Sequence, residues 1–134
     1  MCSSDLAGKV KLLGAVPYAK ILRVYADADV LAQTSVGFET QGMTVYEAAA
    51  VGTPSILCDH NIAGEFAKGT HWVVADDSVS SLAASLTQAV KDIQSGDDRH
   101  TRLAEEDHLL QSDATQKMIG FYQAVIERSH APKY

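Results

Sequence analysis

Short apolar runs alternate with longer stretches of helical periodicity along most of the chain. Lys9-Val10-Lys11-Leu12-Leu13 reads as a first strand, closed by Gly14. Pro17 then opens a helix over residues 18–28, with Ile21, Leu22, Tyr25 and Ala28 near helical spacing. Asp29 to Gln33 reads as a second strand, running into the loop Thr34 to Phe38. A helix beginning near Met43 stops at Gly52-Thr53-Pro54, a glycine-then-proline ending. Ser55 to Cys58 reads as a third strand, residues 62–68 as a short helix, and His71 to Ala75 as a fourth strand. Beyond it the pattern is helical throughout. Asp77 or Ser78 can cap a helix with Val79, Leu82, Leu86, Ala89, Val90 and Ile93 on one face, and Gly96 ends it. A more polar helix follows over residues 99–110. Ser112 or Asp113 caps the last, with Met118, Ile119, Phe121, Tyr122 and Val125 as its apolar positions. This alternation predicts an α/β fold: a parallel sheet with helices on both faces and right-handed crossovers, followed by C-terminal helices.

Charge and composition narrow the functional classes. The 17 acids against 11 bases give a formal charge of −6, the wrong sign for phosphate-backbone binding, so nucleic acid is not an expected partner. No run approaches the roughly 18 apolar residues of a membrane span, and two cysteines, Cys2 and Cys58, cannot build a disulfide framework or a zinc site. A reducing, cytoplasmic setting is expected. The five histidines show no metal-ligand spacing and read as surface or satisfied residues. Cys58 reads as a small buried hydrophobe, Trp72 as core, and the run Glu105-Glu106-Asp107 as a solvated helix face. Residues 1–6 match the translation of a common sequencing adaptor and are read as a non-native leader, with residues 7–96 as the sheet-bearing part and 97–134 as C-terminal helices of the same domain.

The informative stretch lies at a strand end, where open parallel sheets bind their ligands. From Gln33 to Ala48 a long loop carries Glu39, and Gly42 sits where the next helix starts. The first N–H groups of that helix, at Gly42, Met43 and Thr44, form an anion site at its positive end. Glu47 follows about one turn later. A helix end for phosphate with two carboxylates for hydroxyls suits a nucleotide sugar.

Glu39 and Glu47 flank seven residues, and the pattern resembles the E-x7-E motif of the retaining GT-B glycosyltransferases of family 4. Gly14-Ala15-Val16-Pro17 resembles that family's G-x-V-p, Tyr25 to Val30 its Y-x-x-A-D-v, and Glu47 to Pro54 its E-A-M-A-x-G-x-P. The resemblance runs in order from about Val10 to Ile93. Gln41 stands where Phe is commoner, similar to a subset that includes diacylglycerol glucosyltransferases, and Thr34-Ser35 replaces the usual Pro-Ser.

The resemblance implies roles. The fold would be a partial Rossmann-like domain, the C-terminal domain of a GT-B enzyme. Glu39 would act as the catalytic-site residue that holds donor-sugar hydroxyls and places the anomeric carbon. The Gly42, Met43 and Thr44 amides would take the diphosphate, Glu47 the ribose hydroxyls, and the main chain around Val16 the base edge. No metal or other cofactor is implied; the donor is a nucleoside-diphosphate sugar and the acceptor a glycan or a lipid. A GT-B enzyme also has an N-terminal acceptor domain and upstream donor-domain strands bearing an Arg and a Lys, neither matched here. The chain is therefore read as a fragment, inactive alone, of a cytoplasmic enzyme that can sit peripherally at the inner face of a membrane. Two alternatives share the architecture. One is a flavodoxin-like receiver domain with Asp59 as phospho-acceptor, which needs an acidic pair after its first strand and a lysine after its last; Leu13-Gly14-Ala15 and Ala75-Asp76 supply neither. The other is a GT-B sugar-nucleotide epimerase.

Overall fold

A computed structural model describes residues 8–37, 42–99, 102 and 111–130. The elements run α1 (Tyr18–Ala26), β1 (Leu31–Gln33), α2 (Met43–Ala50), β2 (Ser55–Leu57), α3 (His60–Ala63), β3 (Trp72–Val73), α4 (Val79–Gln94) and α5 (Gln111–His130). Among the described residues the sheet has three strands in the order β1-β2-β3. Both pairings are parallel: Leu31 lies opposite Ser55, Gln33 opposite Leu57, and Ile56 opposite Trp72.

The central strand explains the layering. Ser55, Ile56 and Leu57 are all buried, as a strand covered on both faces requires. Neighbouring side chains on a strand point to opposite faces, and the two apolar positions accordingly join different clusters. Leu57 packs with Val45 and Ala49 of α2, Ile62 and Ala63 of α3, and Phe66. Ile56 packs with Trp72, Val74 and Ala89, the last from α4. This is an α/β layer structure with a helix set on each side of a small parallel sheet, a Rossmann-like fragment with C-terminal helices.

Local signals set the helix ends. Pro17 precedes α1 with φ −56°, and Ser78 caps α4 by accepting the Ser81 N–H at 3.1 Å. Gly52, at φ 81°, follows α2 before Thr53 and Pro54 turn the chain into β2. Trp72 is core as expected, and its indole N–H donates to Asp92 at 2.8 Å while the Arg99 guanidinium sits 4.0 Å from the ring centroid.

Three expectations change. Lys9 to Leu13 is not a strand: it pairs with no described strand, and Val10, Leu12 and Leu13 are exposed. A strand exists only where a neighbour takes its N–H and C=O groups, and this segment does not lie along the outer edge of β1. The short helix begins at His60 rather than Ile62, because Asp59 caps it two residues earlier, and Gly64 ends it. The last helix already includes Gln111, which places Ser112 and Asp113 inside its first turn, where Asp113 favours the positive helix end. The polar helix expected over 99–110 falls almost wholly outside the described residues, as does the acidic run 105–107. Among the described residues no helix is long and apolar enough to cross a membrane.

Candidate functional site

The mouth is expected where the loop after β1, described over residues 34–37, leads to the start of α2. Gly42 is the residue before α2, buried, with φ 54° and ψ 47°. That left-handed conformation strains any residue with a Cβ. A Cβ at this position would also stand 2.9 Å from the Ile62 Cδ1 and 3.3 Å from its Cγ2. Both facts demand glycine, and both follow from seating the end of α2 directly on α3. The Gly42 carbonyl accepts the Val45 N–H at 2.8 Å, which starts the helix. Among the described residues the Met43 and Thr44 N–H groups have no acceptor, as expected for a first helical turn open at its positive end.

Thr44 and Glu47 stand three residues apart on α2 and so share one face. The Thr44 hydroxyl is within 3.4 Å of the Gln33 side-chain oxygen, and the Gln33 amide donates to the Ser35 hydroxyl at 3.0 Å. Gln33, the last residue of β1, therefore braces both sides of the loop. The Glu47 carboxylate is half-buried beside two phenols of α1. Its hydrogen bond and then its charge push the Tyr18 hydroxyl up from the ordinary tyrosine value. Tyr25 is pushed up by burial first and by Glu47 second. The structure thus places Met43, Thr44 and Glu47 on α2, with Gly42 immediately before it. Glu39 and Gln41 lie outside the described residues.

Asp59 braces the same region from the next strand. Its Oδ1 accepts the Asn61 N–H at 2.9 Å and the Ile62 N–H at 3.4 Å, and its Oδ2 accepts the Gly37 N–H at 2.9 Å. The Gly37 bond and then the Asn61 bond hold this carboxyl below the usual carboxylate range. Both oxygens are engaged, and the residue is buried, which is the environment of a structural cap rather than of a phospho-acceptor. The receiver alternative loses its one supporting residue.

A shallow cleft of about 150 Å³ opens at the carboxyl ends of the strands, lined by Thr34, Val36, Cys58, Val74, Asp76 and Ser78 among others. Asp77 also lines it. Two carboxylates beside apolar walls repel an anion, so this cleft is unsuited to one. Cys58 is a half-buried free thiol, pushed up by burial and then by Asp77. His71 is lowered by burial and then by Arg99, and the His60 Nε2 lies 2.9 Å from the Val74 carbonyl oxygen. Among the described residues no cluster of His, Cys, Asp and Glu has the geometry to hold a metal ion.

Sequence reasoning missed three contributors. Tyr18 reads only as a helix position and Gln33 only as a strand end, whereas Tyr25 reads as a helix position and as the tyrosine of the Y-x-x-A-D-v resemblance. A signal was present in the seven-residue spacing of the two tyrosines, which places them on one face of α1.

With this geometry in place, comparison with known proteins adds one match. A family model described as glycosyl transferases group 1 covers residues 3–106, well over half of the chain. No curated protein matches it.

Proposed function

The chain belongs to the glycosyl transferases group 1 family, and from that premise we propose that it is the donor-binding part of a retaining GT-B enzyme of family 4. Its work would be to hold a nucleoside-diphosphate sugar while the sugar passes to a glycan or lipid acceptor. Membership makes the domain a glycosyltransferase with a sugar donor and an acceptor; the reading of donor class and mechanism rests on the site. The observation that carries it is Gly42: a left-handed glycine pressed on Ile62 opens the helix end, with Glu47 one turn further on.

The chemistry follows from that arrangement. Transfer leaves a nucleoside diphosphate with an added negative charge on its terminal phosphate. Fixed N–H dipoles at Gly42, Met43 and Thr44 stabilise that charge without reorganising, which is the largest contribution such a site can make. Glu47 takes the ribose hydroxyls, and the main chain at Val16 meets the base edge. Glu39 holds hydroxyls of the donor sugar, and the reaction needs no metal or cofactor. Transfer of a hexose also requires the acceptor held against the anomeric carbon. The enzyme works in the cytoplasm, and with a lipid acceptor it sits against the inner face of a membrane. An epimerase shares the architecture but makes no use of an acceptor.

Calorimetry tests the reading. Glu47→Ala weakens nucleoside-diphosphate binding by about 1–3 kcal/mol through lost charge-assisted hydrogen bonds. Equal affinity in variant and wild type removes Glu47 from the site.

A further inference from the structure

The segment that leaves β1 has two sides, and the site above uses only one of them. The Gln33 amide donates to the Ser35 hydroxyl at 3.0 Å, and the Gln33 side-chain oxygen lies 3.4 Å from the Thr44 hydroxyl of α2. Thr34 and Val36, the alternate residues, line the cleft at the carboxyl ends of the strands instead. The segment is pinned beyond them, where the Gly37 N–H donates to Asp59 Oδ2 at 2.9 Å. One fixed stretch of backbone therefore stands between the start of α2 and the cleft.

The size and lining of the cleft restrict what it takes. Its volume of about 150 Å³ is that of a cavity that holds one six-membered ring. Val36, Val74 and Leu82 give it apolar walls, and Asp76 and Asp77 bring carboxylates to its rim. Asp76 is engaged locally, its Oδ1 accepting the Ser78 N–H at 2.8 Å. An ionised carboxylate accepts hydrogen bonds and cannot donate, so a matching ligand supplies O–H or N–H donors. It also carries a C–H face for the walls and no negative charge. A hexopyranose ring has this combination.

We propose that the cleft is the subsite for the acceptor sugar, taking one uncharged or amino-bearing hexopyranose ring, with Asp77 accepting from its hydroxyls and Val36 and Leu82 against its C–H face. The inference rests on the nucleotide-sugar reading above and deepens it. A sugar in the cleft lies across the Thr34–Val36 stretch from the diphosphate at α2, so donor and acceptor meet at one edge of the sheet, the approach that transfer requires. The same carboxylates repel a nucleoside diphosphate, which keeps the donor out of the acceptor's place.

The test uses the full chain with Cys58, which lines the cleft, as reporter and Cys2 as internal control. Methyl glucoside, methyl galactoside, methyl mannoside and methyl glucosaminide are each added before iodoacetamide, and alkylation is read by peptide mass. At saturation at least one slows alkylation of Cys58 about threefold or more and leaves Cys2 unchanged, because a filled pocket buries most of its ligand and shuts out the reagent. Asp77→Asn raises the half-protecting concentration about threefold or more through loss of a charge-assisted hydrogen bond. Glucuronate does not protect. Methyl NMR of Val36, Val74 and Leu82 reads the same occupancy if the thiol reacts too slowly to follow. In parallel, uridine, guanosine and adenosine 5′-diphosphates are titrated against the Met43 and Thr44 amides. A nucleotide bound there with no glycoside in the cleft, or with hexanol or cyclohexylammonium entering where no glycoside does, overturns the sugar subsite and spares the nucleotide-sugar reading. Equal protection by glucuronate, or protection unchanged in Asp77→Asn, does the same. No nucleotide at α2 overturns both, whether or not a glycoside protects Cys58.

Discussion

Replacing Gly42 by alanine strains the structure in two ways that can be separated. The first is conformational: φ 54° at this position costs an L-residue about 1–2 kcal/mol. The second is steric, because the new Cβ would stand 2.9 Å from the Ile62 Cδ1, well inside the 3.5–4.0 Å at which carbon atoms attract. Ile62 is 3% exposed and sits in the cluster with Val45, Leu57 and Phe66. It therefore cannot swing out to solvent, and overpacking of this kind costs about 1–3 kcal/mol. Gly42→Ala should destabilise the chain by about 2–4 kcal/mol in urea unfolding followed through the single, buried Trp72. Ile62→Val removes the Cδ1 methyl. Alone it should cost about 0.5–1.5 kcal/mol, but on top of Gly42→Ala it should cost nothing or restore stability. The predicted coupling is about 1 kcal/mol. If the two substitutions add to within about 0.3–0.5 kcal/mol, the clash is absent and the seating of α2 on α3 is wrong.

Three further outcomes follow from other parts of the molecule. Glu39→Gln should lower sugar transfer by the intact enzyme more than it lowers binding of the bare nucleoside diphosphate, and equal losses would point to a loop-folding role. Asp59 has a depressed carboxyl, so its stabilisation is complete above the ordinary value of about 3.9 and fades as pH falls toward the folded value. Melting temperature should fall less steeply below pH about 4 in Asp59→Asn than in wild type, and parallel curves would contradict this. Arg99→Leu removes the cation over the Trp72 ring and should cost about 1–2 kcal/mol with a shift in tryptophan emission; an unchanged emission spectrum would show that the guanidinium does not rest there.

The elements that could be read from the sequence are those whose cause is local. Ser55-Ile56-Leu57-Cys58 is a mainly apolar run between a proline and an aspartate, which marks a doubly covered strand without reference to anything distant. The stop at Gly52-Thr53-Pro54 and the cap at Ser78 are equally local. Lys9 to Leu13 has the composition of a strand and fails for want of a neighbour, which no property of those five residues records. The same division holds at the site. The glycine at the start of α2 and the glutamate one turn later were legible as spacing. The contacts of Gln33 with Thr44 and of Asp59 with Gly37 join residues 11 and 22 apart in sequence.

The central claim is that the start of α2 is a diphosphate site. Amide NMR of the isotopically labelled chain, titrated with uridine, guanosine and adenosine 5′-diphosphates, tests it residue by residue. The account predicts that at least one nucleotide shifts the Gly42, Met43 and Thr44 amides most, with smaller changes near Val16 and Glu47, and that Glu47→Ala weakens the same response. Shifts confined to the acidic cleft around Cys58, Asp76 and Ser78, or no shift with any of the three, would contradict it.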